Sequence, residues 1–437
     1  MTDLNTRHHT APVDADLVAA LRDRGLEVRR EDDADAAQVA GWQQAVVRGF
    51  LDAEPSDLQR ETSFARGGYR RKVGVHDPQT PQPEIPVATF ASWIAGLSLP
   101  GGTTVPACAI SAVTVAPTHR RQGLLRGVMG AELCTAAAAG VPIAALTVSE
   151  SGIYGRFGFG PAAPVTSWRL NVRRAGWIGP HAPGRIDFVT RERARELVRD
   201  LHERIWRGTA GEIHLVDDHA DRKTRTRPDA EKAGELRALQ YRSSDGRVDG
   251  LVTYTVRENH DDFADSTLRV VALIAATDEA YAGLWRFLLS MDLIGTIEAG
   301  ELSVDEPLWW MIADQRAARI TVRDHHYLRI LDVAAVLTAR RYDRADRIVL
   351  EVDDPLGFAH GRHVLTADED GHATVTSGGA TADDPVVRLG VAELSAIVLG
   401  GVSAVTLARA GRVHADDPER VARLFAWPTP PRLSYWY

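Results

Sequence analysis

"VTVAPTHRRQGLLRGVMGAEL", running from Val113 to Leu133, changes character halfway along. Val113, Thr114 and Val115 carry the β-branched pattern of a strand, which Pro117 stops. From about Leu124 an apolar pattern at helical spacing takes over, with Leu124, Leu125, Val128, Met129 and Leu133 expected to pack inward. Between the two lie His119, Arg120, Arg121 and Gly123, with Arg126 one turn into the helix. A helix N-terminus offers unpaired N–H groups and a partial positive charge, which suits phosphate oxygens. Gly123 keeps side-chain atoms out of a ligand's way, and Arg121 and Arg126 can add charge-assisted bonds. Arginines on an exposed turn can equally be solvated and nothing more. Here a buried strand, a basic turn and a long apolar helix coincide, and together they read as a diphosphate site. The turn lacks the G-K-[ST] of a nucleotide P-loop and the G-x-G-x-x-G of a dinucleotide fold.

At 437 residues the chain exceeds one hydrophobic core, so roughly two to four domains are expected. A net charge of -8 sets the arginine turn against an acidic background. It argues against general nucleic-acid binding and favours cationic small molecules. The N-terminal "MTDLNTRHHTAPVDAD" has no apolar signal segment. The nearest candidate for a membrane-crossing run, Leu133 to Val148, is broken by Gly140 and Pro142 and reads as a helix end followed by a strand. The two cysteines, Cys108 and Cys134, have no metal-like spacing. The expectation is a cytoplasmic protein with no membrane partner, disulfide framework or metal site.

Three blocks follow from the patterning. In the first, "ADLVAALRDRG" and "AAQVAGWQQAVVRGFLD" read as helices, and "DPQTPQPEIP" (Asp77 to Pro86) as a loop. "VATFASWIAGLSLP", "AISAVTVA" and "IAALTVSE" read as strands, an α+β arrangement closed by the glycine-rich "SGIYGRFGFGP". In the second, the strands "VTSWRLNV", "VDGLVTYTV" and "TLRVVALIAA" precede the helix "DEAYAGLWRFLLSM". Its element order repeats the first block, but the turn "AATDEAYAGLW" is acidic and has no arginine pair, so it cannot hold an anion in the same way. The third begins near "YLRILDVAAVLTARRY" and continues with the short strands "RIVLEV", "RHVLTA" and "HATVTS". There the helices "GVAELSAIVLGG" and "DPERVARLFAW" flank "SAVTLA", read as a strand. "DHHY" (Asp324 to Tyr327) and "HGRH" (His360 to His363) lack metal spacing and are read as surface or interface residues.

The turn Arg120–Arg121–Gln122–Gly123–Leu124–Leu125 resembles the R-x-x-G-x-[GA] pyrophosphate turn of GNAT N-acetyltransferases, with Leu125 where a small residue is usual. "VAPTHRRQGLLR", "SESGIYGRFGFGPA" and a closing aromatic residue together resemble the Eis-like (enhanced intracellular survival) branch of that family. The resemblance implies tandem GNAT domains, the second degenerate, followed by a sterol-carrier-protein-like α/β domain. The expected extents are 1–163, 164–322 and 323–437. It implies acetyl-CoA as co-substrate, with the pantetheine arm on Val113, Thr114 and Val115. The pyrophosphate falls on Arg121, Gln122, Gly123, Leu124, Leu125 and Arg126, with a further cofactor contact at Ser149 and Glu150.

Acetyl transfer to an amine needs a base, oxyanion donors and an acid for the departing thiolate. By resemblance the Val113 N–H is an oxyanion donor, Tyr154 the acid, and the α-carboxylate of Tyr437 the base. Asp52 in "GFLDAEPSD" is a candidate cation contact. The family often has an acidic residue just before the last one, where this chain has Trp436. The implied protein acetylates amines of a cationic small molecule, aminoglycosides foremost, at one or several positions, and assembles as a homohexamer. Peptide or protein lysines are competing acceptors. The alternative is a lipid or small-molecule carrier using the C-terminal domain, with a vestigial acetyltransferase region.

Overall fold

The structure is a computed structural model that describes residues 2–437; Met1, the start of the expected first domain, lies outside the described residues. Two compact units emerge. One comprises the chain up to Ala163 with His326–Pro428 and Tyr437, the other Pro164–His325 with Thr429–Trp436.

The first unit opens with α1 (Thr2–Thr10), α2 (Ala15–Arg22), β1 (Glu27–Arg30), α3 (Ala36–Phe50) and α4 (Asp57–Arg66). There follow β2 (Arg71–His76), β3 (Ala88–Ser98), β4 (Thr104–Val115), α5 (Leu124–Ala138) and β5 (Ile143–Thr147). The helices begin where polar side chains satisfy free N–H groups: Asp14 caps α2, Asp35 caps α3, and Ser56 with Gln59 forms a capping box on α4. β1 to β4 pair antiparallel in order, and β5 joins β4 in parallel because α5 carries the chain back across the sheet. β3 is buried along its whole length, which is why its sequence is an apolar run and not an alternation. α5 buries Leu124, Val128, Met129 and Leu133 against Val73, Phe90 and Ile110. Leu125, expected inside, is only partly buried. The buried Arg71–Glu132 pair, 2.7 Å apart, also holds the chain after α1 through the Ala11 carbonyl.

The C-terminal part of this unit adds His326–Ile330, the end of the strand Ala318–Ile330, antiparallel to β5. The expected boundary at 322/323 therefore falls inside a continuous strand. A five-stranded mixed sheet follows, in the order Ala373–Thr376, Gly361–Ala367, Asp346–Asp353, Val386–Gly390, Val413–Ala415. "SAVTLA" is not a strand: Ala404–Arg409 is a helix packed on the helix Pro418–Phe425. Its β-branched residues are outweighed by that packing, and Val413–Ala415 supplies the edge strand. Gly160 explains part of "GRFGFG", since a Cβ there would lie 1.9 Å from the Ala392 carbonyl oxygen of the helix Val391–Ile397.

In the second unit the strands Ser266–Ala275 and Ile294–Leu302 run parallel around the helix Asp278–Leu289, repeating the β4–α5–β5 order. Here Thr277 accepts the Ala280 N–H, and Asp278 and Glu279 fill the first turn. The helix N-terminus is closed by its own side chains. Among the described residues no helix is long and apolar enough to cross a membrane, and no group of three or more His, Cys, Asp or Glu is placed to hold a metal ion.

Candidate active site

β4 and β5 pair from Ala107 opposite Ile143 to Ile110 opposite Leu146, so Val113–Val115 lie beyond the paired stretch. On its other side β4 stays with β3, but the register slips between Thr89 and Ala91 and Ala112 takes φ +51°. This is a bulge. Thr89 pins it: its hydroxyl donates to the Ala112 carbonyl at 2.8 Å and lies 2.7 Å from the Thr114 hydroxyl. Gly49 of α3 packs so closely on Thr114 that a Cβ would sit 2.4 Å from it.

Below this edge opens a cavity of about 1130 Å³. It is lined by Val113, Thr114 and Val115, by Arg121, Gly123, Leu124, Leu125 and Arg126, and by Ser149, Glu150 and Tyr154. The structure thus brings most of the sequence-predicted residues to one space. Arg121 (φ +62°) and Gly123 (φ +78°) both adopt left-handed backbone, which folds the turn back onto the start of α5. No side chain caps α5, so its first N–H groups are left for a ligand. A Cβ on Gly123 would meet nothing, so the space beside it is open to a bound molecule. The partner of His119 in the turn is Asp77, 3.0 Å away, whose carboxyl this contact lowers below its ordinary value.

Tyr154 ends the short helix Ser151–Tyr154, with its ring edge-on to Phe159 at 6.1 Å. Burial, and secondarily the nearby Glu150 charge, push its phenol up to about 12. It is protonated at neutral pH.

Tyr437 is buried within the same unit. Its N–H donates to Thr147 Oγ1 at 3.4 Å, and that hydroxyl donates to the Tyr437 main-chain oxygen at 2.7 Å. Its phenol lies 3.1 Å from His326 Nε2 and its ring edge-on to Trp93 at 5.3 Å. Thr147 and His326 are cross-strand partners, so one pair of residues holds both ends of Tyr437. Thr147 is two residues from Ser149, where the cavity wall begins.

Three residues stand apart. Gln122 is exposed and reached by Arg24 at 3.4 Å. Asp52 is exposed just past α3, although Gly49, Phe50 and Leu51 before it line the cavity. Tyr437 is buried and is not part of the lining. Against expectation, His325 and His326 of "DHHY" are buried, because the chain's last residues pack on them. His360 of "HGRH" is exposed. Sequence reasoning missed Thr89, Thr147 and His326. A lone threonine in a strand carries no local signal, and the histidine pair was the one mark available.

Within the second unit the tail Thr429–Trp436 is held by buried polar groups. Glu212 accepts the Ser434 N–H at 2.9 Å, Lys223 donates to the Ser434 carbonyl at 3.2 Å, and His325 lies 3.1 Å from the Tyr435 carbonyl oxygen.

The bulged strand, the uncapped basic turn and the parting of β4 from β5 define an acyl-CoA-dependent transferase of the GNAT class. Family models for the acetyltransferase (GNAT) domain match residues 31–162 and 214–330, and one for the sterol carrier protein domain matches 333–434. The chain is 38% identical over 412 residues to an uncharacterized N-acetyltransferase of Streptomyces avermitilis, spanning 89% of this chain and 94% of that one. It is 35% identical over 346 residues to N-acetyltransferase Eis of Mycobacterium tuberculosis, spanning 76% and 80%. The crystal structure of Eis1 from Mycobacterium abscessus superposes with a TM-score of 0.79 at 27% identity, covering 94% of this chain and all of that one. The chain belongs to the Eis family of GNAT N-acetyltransferases. It is an N-acetyltransferase, with acetyl-CoA as co-substrate and an amine as acceptor.

Proposed function

We propose that this protein transfers acetyl from acetyl-CoA to amines of cationic small molecules, aminoglycosides foremost, at one or more positions, by direct attack in a ternary complex. The observation that carries the reading is the buried Tyr437, whose main-chain oxygen accepts from Thr147 at the end of the strand that leads to Ser149, Glu150 and Tyr154.

In this reading the pyrophosphate sits on the turn Arg121–Arg126 and the pantetheine amides pair with the free edge of Val113–Val115. The Tyr437 carboxylate takes a proton from the substrate ammonium. The amine nitrogen then attacks the thioester carbonyl, and the Val113 N–H bonds the oxyanion. Collapse breaks the C–S bond, the thiolate receives the Tyr154 proton, and the second proton on the acylated nitrogen passes to the Tyr154 oxygen, which leaves a neutral amide, the free thiol and the phenol restored. With Tyr154 pushed up to about 12 and a thiol near ~8.5, full transfer ahead of bond cleavage is uphill. Burial and Glu150 both disfavour the phenolate, so the proton moves in concert with C–S cleavage and not before it. No step requires a metal.

The acidic chain, at net -8, suits a cationic acceptor. The same reading carries a homohexameric assembly and a cytoplasmic location, as the resemblance of the sequence motifs implies. A thiol-release assay with acetyl-CoA against aminoglycosides, polyamines and lysine peptides tests the reading. Turnover is expected with aminoglycosides; silence there with activity on peptides would move the acceptor to proteins, and silence throughout would overturn the proposal.

A further inference from the structure

Arg329 is fully buried, and no motif pointed to it. Its Nη2 donates to both carboxylate oxygens of Asp354 at 2.7 and 2.8 Å, and its Nε donates to the Phe157 carbonyl at 2.8 Å. Asp354 in turn accepts the N–H groups of Leu356 at 3.0 Å and Ala359 at 2.8 Å, so one carboxylate shapes the loop 354–359. Phe358 of that loop lies 5.4 Å from the guanidinium. Gly158, at φ +84°, leaves the room required: a Cβ there would fall 2.6 Å from Arg329 Nε.

One guanidinium therefore ties together two segments far apart in sequence. One is the turn after Tyr154; the other belongs to the sterol-carrier block. Both line the cavity, through Tyr154 and Phe157 on one and Pro355 and Leu356 on the other. Burying an ion pair is an expensive way to join two loops where apolar packing would serve, but it fixes their geometry. Leu356 is 37% exposed on a turn beside Pro355, and both line the cavity.

We propose that the loop 354–359 is a wall of the coenzyme cleft, where Leu356 and Pro355 contact bound acyl-CoA and the Arg329–Asp354 pair is the positioning device that holds this wall to the Tyr154 turn. This rests on the cavity being the acetyl-CoA site. It makes the sterol-carrier block a part of the transferase centre and not a separate carrier.

Calorimetric titration of the full chain with acetyl-CoA tests it, using Leu356→Ala, Leu356→Asp and the double variant Arg121→Ala/Arg126→Ala. Leu356→Ala should bind roughly three- to tenfold more weakly, the loss of one apolar contact, with unchanged unfolding temperature and unchanged KM for the amine. Leu356→Asp should be weaker still, because it turns a carboxylate towards a polyanion. Arg329→Lys keeps the charge but cannot hold Asp354 and the Phe157 carbonyl from two separate nitrogens, and should raise KM for acetyl-CoA while leaving KM for the amine alone. A purely structural arginine would lower the folded fraction and move neither constant. If the arginine double variant loses affinity and both Leu356 variants bind as wild type does, this inference fails and the coenzyme site stands. If the double variant also binds as wild type does, both fail.

Discussion

Tyr154 and Tyr437 are both buried tyrosines, and the proposed mechanism gives them different work because their surroundings differ. Tyr154 ends a turn on the cavity wall with its hydroxyl held protonated, whereas Tyr437 is clamped at both ends by Thr147 and His326. Tyr154→Phe keeps the ring against Phe159 and removes one oxygen. It should lower kcat by about a hundredfold or more while acetyl-CoA binds as before. The pH dependence has a definite sign. In the proposed mechanism the protonated phenol is the working form, and its value lies above the ordinary ~10, so acid function should persist through pH 10 and be lost only towards about 12. The same shift makes the neutral phenol's share of stability complete below ~10 and lost as pH rises through about 12. An alkaline limb in kcat centred below 10 that disappears in Tyr154→Phe would contradict this assignment.

At the scale of elements, the strand–turn–helix from Val113 to Leu133 was legible because everything that shapes it is local: a proline stop, a glycine, and apolar residues at helical spacing. The bulge in β4 was not, because it depends on the register against β3 and on the Thr89 hydroxyl, which reaches Ala112 across the sheet. Thr89→Val preserves shape and leaves the Ala112 carbonyl without that donor. It should cost about 1–3 kcal/mol of stability. Relaxation of the bulge shifts the Val113–Val115 edge, so kcat/KM for acetyl-CoA should fall at least about tenfold. Thr89→Ser retains the donor and should behave as wild type does. Equal kinetics for Thr89→Val and wild type would show that the bulge needs no pin. The second helix turn illustrates the converse: its acidic sequence already excluded an anion site, and the Thr277 cap gives the structural form of that exclusion.

At the scale of the whole chain, three buried histidines set an acid limit. His8, His202 and His325 are each lowered to about 4, chiefly by burial, with the Arg71 charge adding to His8 and that of Lys223 to His202. They fold neutral. Their contribution is complete above the unfolded value of ~6.5 and is lost as pH falls through about 4, on the order of 2 kcal/mol each at pH 5. The thermal midpoint should therefore fall steeply between pH 7 and pH 5, and His8→Gln should flatten part of that slope. A midpoint unchanged over this range would contradict the burial argument. These histidines also mark what one sequence hides. "DHHY" looks like surface until Tyr435 and Tyr437, more than a hundred positions away, come to lie on it. Block order, by contrast, could be read from patterning, since each block carries its own strands, turns and helices.

The central claim is that the α-carboxylate of the last residue takes the proton that acetyl transfer releases. Amine-dependent thiol release by the chain lacking Tyr437, measured beside its acetyl-CoA affinity, tests this directly, with Tyr437→Phe as the control that keeps a terminal carboxylate. The account predicts unchanged coenzyme binding, turnover down at least about a hundredfold in the truncated chain, and near-normal turnover in Tyr437→Phe. Turnover within a few-fold of wild type in the truncated chain would contradict it.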